Sequence, residues 1–289
     1  KHSVSAINIK RFRSLKNRLG RGGVRWALQR WRRYMDIEQK IIELNQYFIG
    51  RTLWDKAQIA AFNPTATYFH GEELLRQPFY VERWSLSDCE PYRIFISSAI
   101  SSIKGLHILL KAAALLKERY PNIKIVSPLS DFTLDASFLR RSLLAEDYSN
   151  FLRSEIFRLN LQNNVELLGK LDAEKMKDEF KKAHLFVLSS YIENSPNALG
   201  EAMSIGTPSV VSPVGGVMSV VKDEESALFF PSGDYNMLAF QIERIFKDDE
   251  LAITLSNNAR RVASKRHDIE STTHQYVDIY HKILKLHKA

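Results

Sequence analysis

From Pro91 onward, short apolar runs alternate with stretches whose apolar residues recur at three- and four-residue steps. Arg93 to Ser97, Ile123 to Ser127, Val165 to Leu168, Leu185 to Ser189, Ser209 to Val211 and Ala227 to Phe230 read as strands. Leu106 to Arg119, Ser137 to Leu159 (with an internal break), Glu174 to Ala183 and Tyr235 to Leu286 read as helices. Strands apolar throughout and separated by helices predict an α/β fold: a doubly wound, Rossmann-like parallel sheet with both faces covered. Ligands of such sheets sit at the carboxyl ends of the strands. Ser98, Glu193 and Gly215 each follow a predicted strand and so gather on one edge.

The front of the chain has a thinner version of the same rhythm. Trp26, Ala27, Trp31, Tyr34, Ile37, Ile41 and Leu44 predict an amphipathic helix over residues 24–44, with Arg25, Arg30, Arg32, Arg33 and Lys40 on much of its other face. Strands are expected at Gln46 to Gly50 and Ala66 to His70, a helix at Asp55 to Phe62, and a helical turn at Glu72 to Arg76. This is too little for a whole domain. A boundary is placed at Ser85 to Pro91, dividing residues 1–88, a partial amino-terminal domain, from residues 89–289.

Composition narrows the class. The 289 residues are 45% hydrophobic and 26% charged, which is globular, and no apolar run approaches the ~20 residues of a membrane-spanning helix. The lone cysteine, Cys89, cannot form an internal disulfide, and a cytoplasmic location is the expectation. Residues 1–40 hold twelve Lys/Arg and two acids, or +10, so the remaining 249 residues sum to −2 of the net +8. The basicity belongs to one segment. Such a helix can be a solvated face, can lie on an anionic membrane surface, or can bind nucleic acid; no recognition motif accompanies it, and no nucleic-acid partner is expected.

Candidate chemistry concentrates in Tyr191 to Val211. Ser195 is placed to cap a helix with Pro196 at its first position. The backbone N–H groups of Asn197, Ala198 and Leu199 would then point into one space, with Glu193 before the helix and Glu201 eight positions later on it. An anion site flanked by two carboxylates suits a sugar nucleotide; a capped helix with two solvated acids fits these residues equally well. Upstream, a strand, a Ser-rich loop and Lys104-Gly105 offer hydroxyls, N–H groups and a cation to a phosphate, without the glycine spacing of a P-loop. Gly215-Gly216 is either a tight turn or a place where a ligand nears the backbone. The histidines form no HExxH-type constellation, and there is no Asp-x-Asp to hold a metal.

SSAISSIKGLHILLKA, NVELLGKL, FVLSSYIENSPNALGEAMSIGTPSVV, SPVGGV and ALFFPSGD fall in one order over Tyr92 to Lys285. In this the chain resembles the family-four retaining glycosyltransferases, which have the B-type fold of two facing Rossmann-like domains, and among them bacterial members that build surface polysaccharides. The resemblance implies a metal-independent, cofactor-free hexosyltransferase moving a sugar from a nucleotide-sugar donor to a surface-glycan acceptor, expected to be lipid-linked. Glu193 and Lys104 would be the catalytic groups. Glu193 would contact the donor sugar and Glu201 the ribose hydroxyls. Lys104 and the N–H groups of Asn197, Ala198 and Leu199 would stabilise the leaving diphosphate. Ser98 and Ser190 would line the donor site, Gly169 and Lys170 would lie beside the base, and Gly215 and Gly216 beside the sugar.

The sequence departs from that pattern at three positions. Ala99 stands where most members carry Arg, Ser219 where Glu is usual, and Ala227 where Gly is usual. The front also looks like the tail end of an acceptor-side domain, so the chain is expected to begin part-way through a longer polypeptide. The rival readings are a sugar-nucleotide epimerase and a non-catalytic nucleotide-sugar-binding domain of the same fold.

Overall fold

A computed structural model describes residues 24–97, 101–129 and 147–288. Ser98, Ala99 and the first part of the helix expected from Ser137 lie outside the described residues. Among those described, the carboxy-terminal region is a six-stranded parallel sheet of β3 (Glu90–Phe95), β4 (Lys124–Ser127), β5 (Val165–Leu167), β6 (Ala183–Leu188), β7 (Ser209–Val211) and β8 (Leu228–Phe229), in the order β5-β4-β3-β6-β7-β8. The chain builds outward from β3 through β4 to β5. It then returns to lay β6 against the other side of β3, with Ile94 opposite Leu185, and continues outward to β8. The crevice opens where this direction reverses.

Both faces are covered, which is why these strands read as unbroken apolar runs. Every residue of β6 is buried. Phe95, Phe180 and Phe186 meet edge-on at 5.0 and 5.2 Å between centroids, the arrangement that the ring quadrupole favours. The covering helices are α3 (Leu106–Leu116), α4 (Asp147–Arg158), α5 (Ala173–Lys182), α6 (Asn197–Ile205), α7 (Tyr235–Lys247) and α8 (Asp249–Arg266). The helix expected over Tyr235 to Leu286 breaks at two points: Asp248 ends α7 and its side chain caps α8 through the Leu251 N–H, and His267 ends α8.

The front region has β1 (Tyr47–Gly50) paired in parallel with β2 (Thr67–His70), plus α1 (Val24–Leu44) and α2 (Leu53–Phe62). Thr52 and Asp55 form a reciprocal capping box at the start of α2. The helical turn expected at Glu72 to Arg76 is absent; the segment runs without helix into a 3-10 turn over Gln77–Tyr80. Pro78 favours starting a turn there, and Glu72, Glu73 and Arg76 are committed to partners across the molecule, namely Arg266, Arg51 and Glu201. The last helix, α9 (Ile269–Lys288), returns to this region, where Gln275 accepts the Glu72 N–H at 3.1 Å. No described helix is long and apolar enough to cross a membrane.

Candidate functional site

Lys104 ends a 3-10 turn over Ser102–Lys104, and Gly105 follows at φ +75°. A Cβ on Gly105 would overlap the carbonyl oxygen of Ser189, so only glycine lets this turn press against the end of β6. Two further bonds fix the contact: Tyr191 N–H to Ile103 O at 2.8 Å and Ser189 Oγ to Lys104 O at 3.1 Å. Lys104 Nζ thereby reaches Glu193 Oε1 at 2.6 Å, and the Ser190 hydroxyl donates to the same oxygen at 2.6 Å. Sequence neighbours from two strands thus become a Lys–carboxylate–Ser cluster at the crevice.

The helix start differs from the expectation by one residue. Pro196, at ψ 108°, is the cap and contributes no side-chain bond, so helical geometry begins at Asn197 and not with Pro196 at the first position. The three N–H groups are also not equivalent. Leu199 is fully buried and its N–H is taken by Pro196 O at 2.9 Å, so it is not free for an anion. Asn197 and Ala198 line a cavity of ≈ 410 Å³. The cavity is lined by Ile96, Ser97 and Lys104 after β3, by Val187 to Ser190 at the end of β6, by Glu193 to Ala198 at the start of α6, and by Arg51 of the front region.

Other expected residues lie around this centre. Gly215 and Gly216 sit behind the Glu193–Asn194 loop, where a Cβ on either would overlap the carbonyl of Glu193 or Asn194; Gly216 N–H donates to Glu193 O at 3.0 Å. Their smallness serves the approach of that loop. Gly169, at φ +74°, faces open space, and Gly169 and Lys170 follow β5, outside the cavity lining. Glu201 is 5% exposed and also outside the lining. Its two oxygens accept a bidentate pair from Arg76, Nε at 2.7 Å and Nη2 at 2.9 Å, which fixes the carboxylate plane.

Four residues that sequence reasoning passed over complete the surroundings: Arg51, Thr52, Arg76 and Asn194. Thr52 Oγ1 donates to Asn194 Oδ1 at 2.8 Å, and Leu53 N–H to Ser219 Oγ at 3.2 Å. Arg51 lines the cavity, pairs with Glu73 and approaches Asn197 Oδ1 at 3.5 Å; Asn197 Nδ2 in turn donates to Glu73 Oε1 at 3.2 Å. Arg266 pins the turn from behind, donating to Arg51 O at 3.1 Å and Ser219 O at 3.0 Å and pairing with Glu72 at 2.8 Å. The Thr52-x-x-Asp55 pattern was a readable helix start. Nothing local said what that start would touch some 142 positions away.

Two histidines near the site are neutral. His107 stacks on Tyr191 at 6.0 Å and bonds Tyr148 OH at 3.0 Å; burial pushes its pKa down to about 4. Burial does the same to His267, also to about 4, with Nδ1 against Glu73 O at 2.7 Å. Among the described residues no group of three or more His, Cys, Asp or Glu side chains is placed to hold a metal ion.

A family model described as "Glycosyl transferases group 1" matches residues 82–262. The chain is 27% identical over 184 residues to the D-inositol 3-phosphate glycosyltransferase of Corynebacterium urealyticum, covering 64% of this chain and 41% of that protein. It is 26% identical over 180 residues to an Escherichia coli glycosyltransferase named for colanic acid biosynthesis, covering 60% and 41%. The chain therefore spans about two fifths of these relatives' length. Anabaena HepE, solved in complex with UDP-glucose, superposes with a TM-score of 0.69 at 21% identity, covering 86% of this chain and 67% of that one.

Proposed function

The chain belongs to the group 1 glycosyltransferases, and from that premise we propose that it moves a sugar from a nucleotide-sugar donor to a surface-glycan acceptor carried on a lipid, with retention and without a metal. The observation that carries the proposal is the crevice itself: Lys104, Glu193 and Ser190 within 2.6 Å contacts, facing the amino-terminal end of α6.

In this reading the diphosphate lies between Lys104 and the Asn197 and Ala198 N–H groups. Positive charge and oriented N–H dipoles there stabilise the leaving group, the work that a metal would otherwise do. The Lys104 and Ser190 bonds to the Glu193 carboxylate both use Oε1, and Oε2 is the oxygen assigned to a donor-sugar hydroxyl. Glu201 is assigned to the ribose hydroxyls, oriented by Arg76. The exposed Trp31, Ile37 and Ile41 of α1, beside Arg30, Arg32 and Arg33, are assigned to an anionic membrane surface that carries the acceptor.

The test is a panel of sugar nucleotides scored by thermal stabilisation. One donor is expected to raise the melting temperature and Glu201→Ala to abolish the rise; no response to any donor sinks the proposal. With a responding donor, the anomeric configuration of the product tests retention.

A further inference from the structure

We propose that Arg51, delivered by the front region, is the second cation of the diphosphate site. The inference rests on the nucleotide-sugar reading above. Among the described residues, two cations line the cavity, Lys104 and Arg51, and they come from different regions of the chain, the turn after β3 and the turn before α2. Lys104 is already matched by Glu193 at 2.6 Å, so a diphosphate with its several charges meets little uncompensated charge there. The amino-terminal end of α6 offers only partial charge, and Leu199 N–H is spent on Pro196.

Arg51 is paired in turn, with Glu73 through Nη1, and what it adds is a second cation with the rest of its fork. Its side chain is 35% exposed, and its contacts to Glu73 and Asn197 both use Nη1. A guanidinium has five N–H donors in a rigid fork suited to phosphate oxygens. The residue is also built into place. Its carbonyl accepts from Arg266, and its backbone N–H donates to Asp55 Oδ2 at 3.0 Å. Thr52, next along, is bonded to Asn194 of the cavity wall. A surface arginine that merely solvates a helix start has no need of three such anchors. A diphosphate held between Lys104 and Arg51 bridges the two regions, whereas a single phosphate at Lys104 does not.

The experiment measures affinity by calorimetry for UDP, GDP, ADP and dTDP and for the matching monophosphates, with wild type, Arg51→Gln, Arg51→Lys and Lys104→Ala. For the nucleotide that binds, Arg51→Gln is expected to weaken the diphosphate about tenfold and to leave the monophosphate within about twofold; Arg51→Lys recovers part of the loss. Hydrogen exchange on the wild type, which needs no variant to fold, is expected to show residues 47–62 protected by the diphosphate and not by the monophosphate. Equal losses for both nucleotides, or equal protection by both, overturn the inference. If Lys104→Ala weakens the diphosphate and Arg51→Gln does not, this inference falls and the proposed function stands. If wild type binds none of the nucleotides, both fall.

Discussion

From Glu90 to Phe229 the chain buries all six residues of β6 and packs Phe95, Phe180 and Phe186 edge-on. From Val24 to Tyr80, α2 buries no residue, α1 leaves Trp31, Ile37 and Ile41 more than half exposed, and two strands make the sheet. A two-stranded sheet is marginal by itself. The front region has apolar anchors only after β2, where Leu75 and Phe79 are buried and Phe79 meets Phe180 at 6.0 Å; elsewhere it is held to its neighbour by polar pairs: Arg266 with Glu72, Thr52 with Asn194, Arg76 with Glu201. One region is therefore stabilised by apolar burial that no single contact controls, the other by two apolar anchors and a few directional bonds around the crevice. The second kind of attachment is weaker and more easily adjusted.

That contrast is open to measurement. Phe186→Ala, in the fully buried sheet, is expected to cost about 3–5 kcal/mol in urea unfolding; a cost below about 1 kcal/mol would mean that the sheet does not carry the stability. Arg266→Met removes the partner of Glu72 and the bonds to Arg51 and Ser219. It is expected to cost about 3–5 kcal/mol and to speed hydrogen exchange over residues 47–80 while β3 and β6 stay protected. Uniform loss of protection would contradict two separately held regions.

The histidines divide between the regions, and their pH dependence has a definite sign. His107 lies against α4 and His267 at the junction with Glu73, each at about 4 against an ordinary 6.5. The unfolded chain binds their protons first. The stability they permit is complete above about pH 6.5 and lost as pH falls toward about 4. Between pH 6 and 5 each costs about 1 kcal/mol. His267→Gln is expected to flatten that slope; an unchanged slope would show that His267 is not buried neutral. At the small end, Ile41→Ala is expected to change stability by less than about 0.5 kcal/mol. A larger cost would show that α1 is packed and not free to meet a surface.

The parallel sheet and the helix start near Asn197 were legible in the sequence because each rests on a local pattern, an apolar run or a turn before a helix; the strand order and the Lys104–Glu193 contact were not. The cap was misplaced by one residue because Pro196 suits both an extended cap and a first helical position. The segment from Glu72 to Arg76 looked helical by spacing but is not, since its side chains serve Arg266, Arg51 and Glu201. Arg51 itself gave no signal: a basic residue before a capping box is ordinary, and what distinguishes it is contact with Asn197, 146 positions on. Pairing at such range leaves no period to read.

The junction of β3 with β6 also has a consequence for the order of assembly. Ile94 pairs with Leu185, 91 positions later, while the neighbouring β3–β4 and β6–β7 pairs close over far shorter spans. Closing the longer span carries the larger entropic cost and is expected to come late, after local helices and their nearer strands have formed. During synthesis the Lys104 turn emerges first and has no floor until Ala183 to Leu188 has been made. The crevice is therefore a product of this long-range closure, and a chain halted before β6 presents Lys104 without Ser190 or Glu193 to receive it.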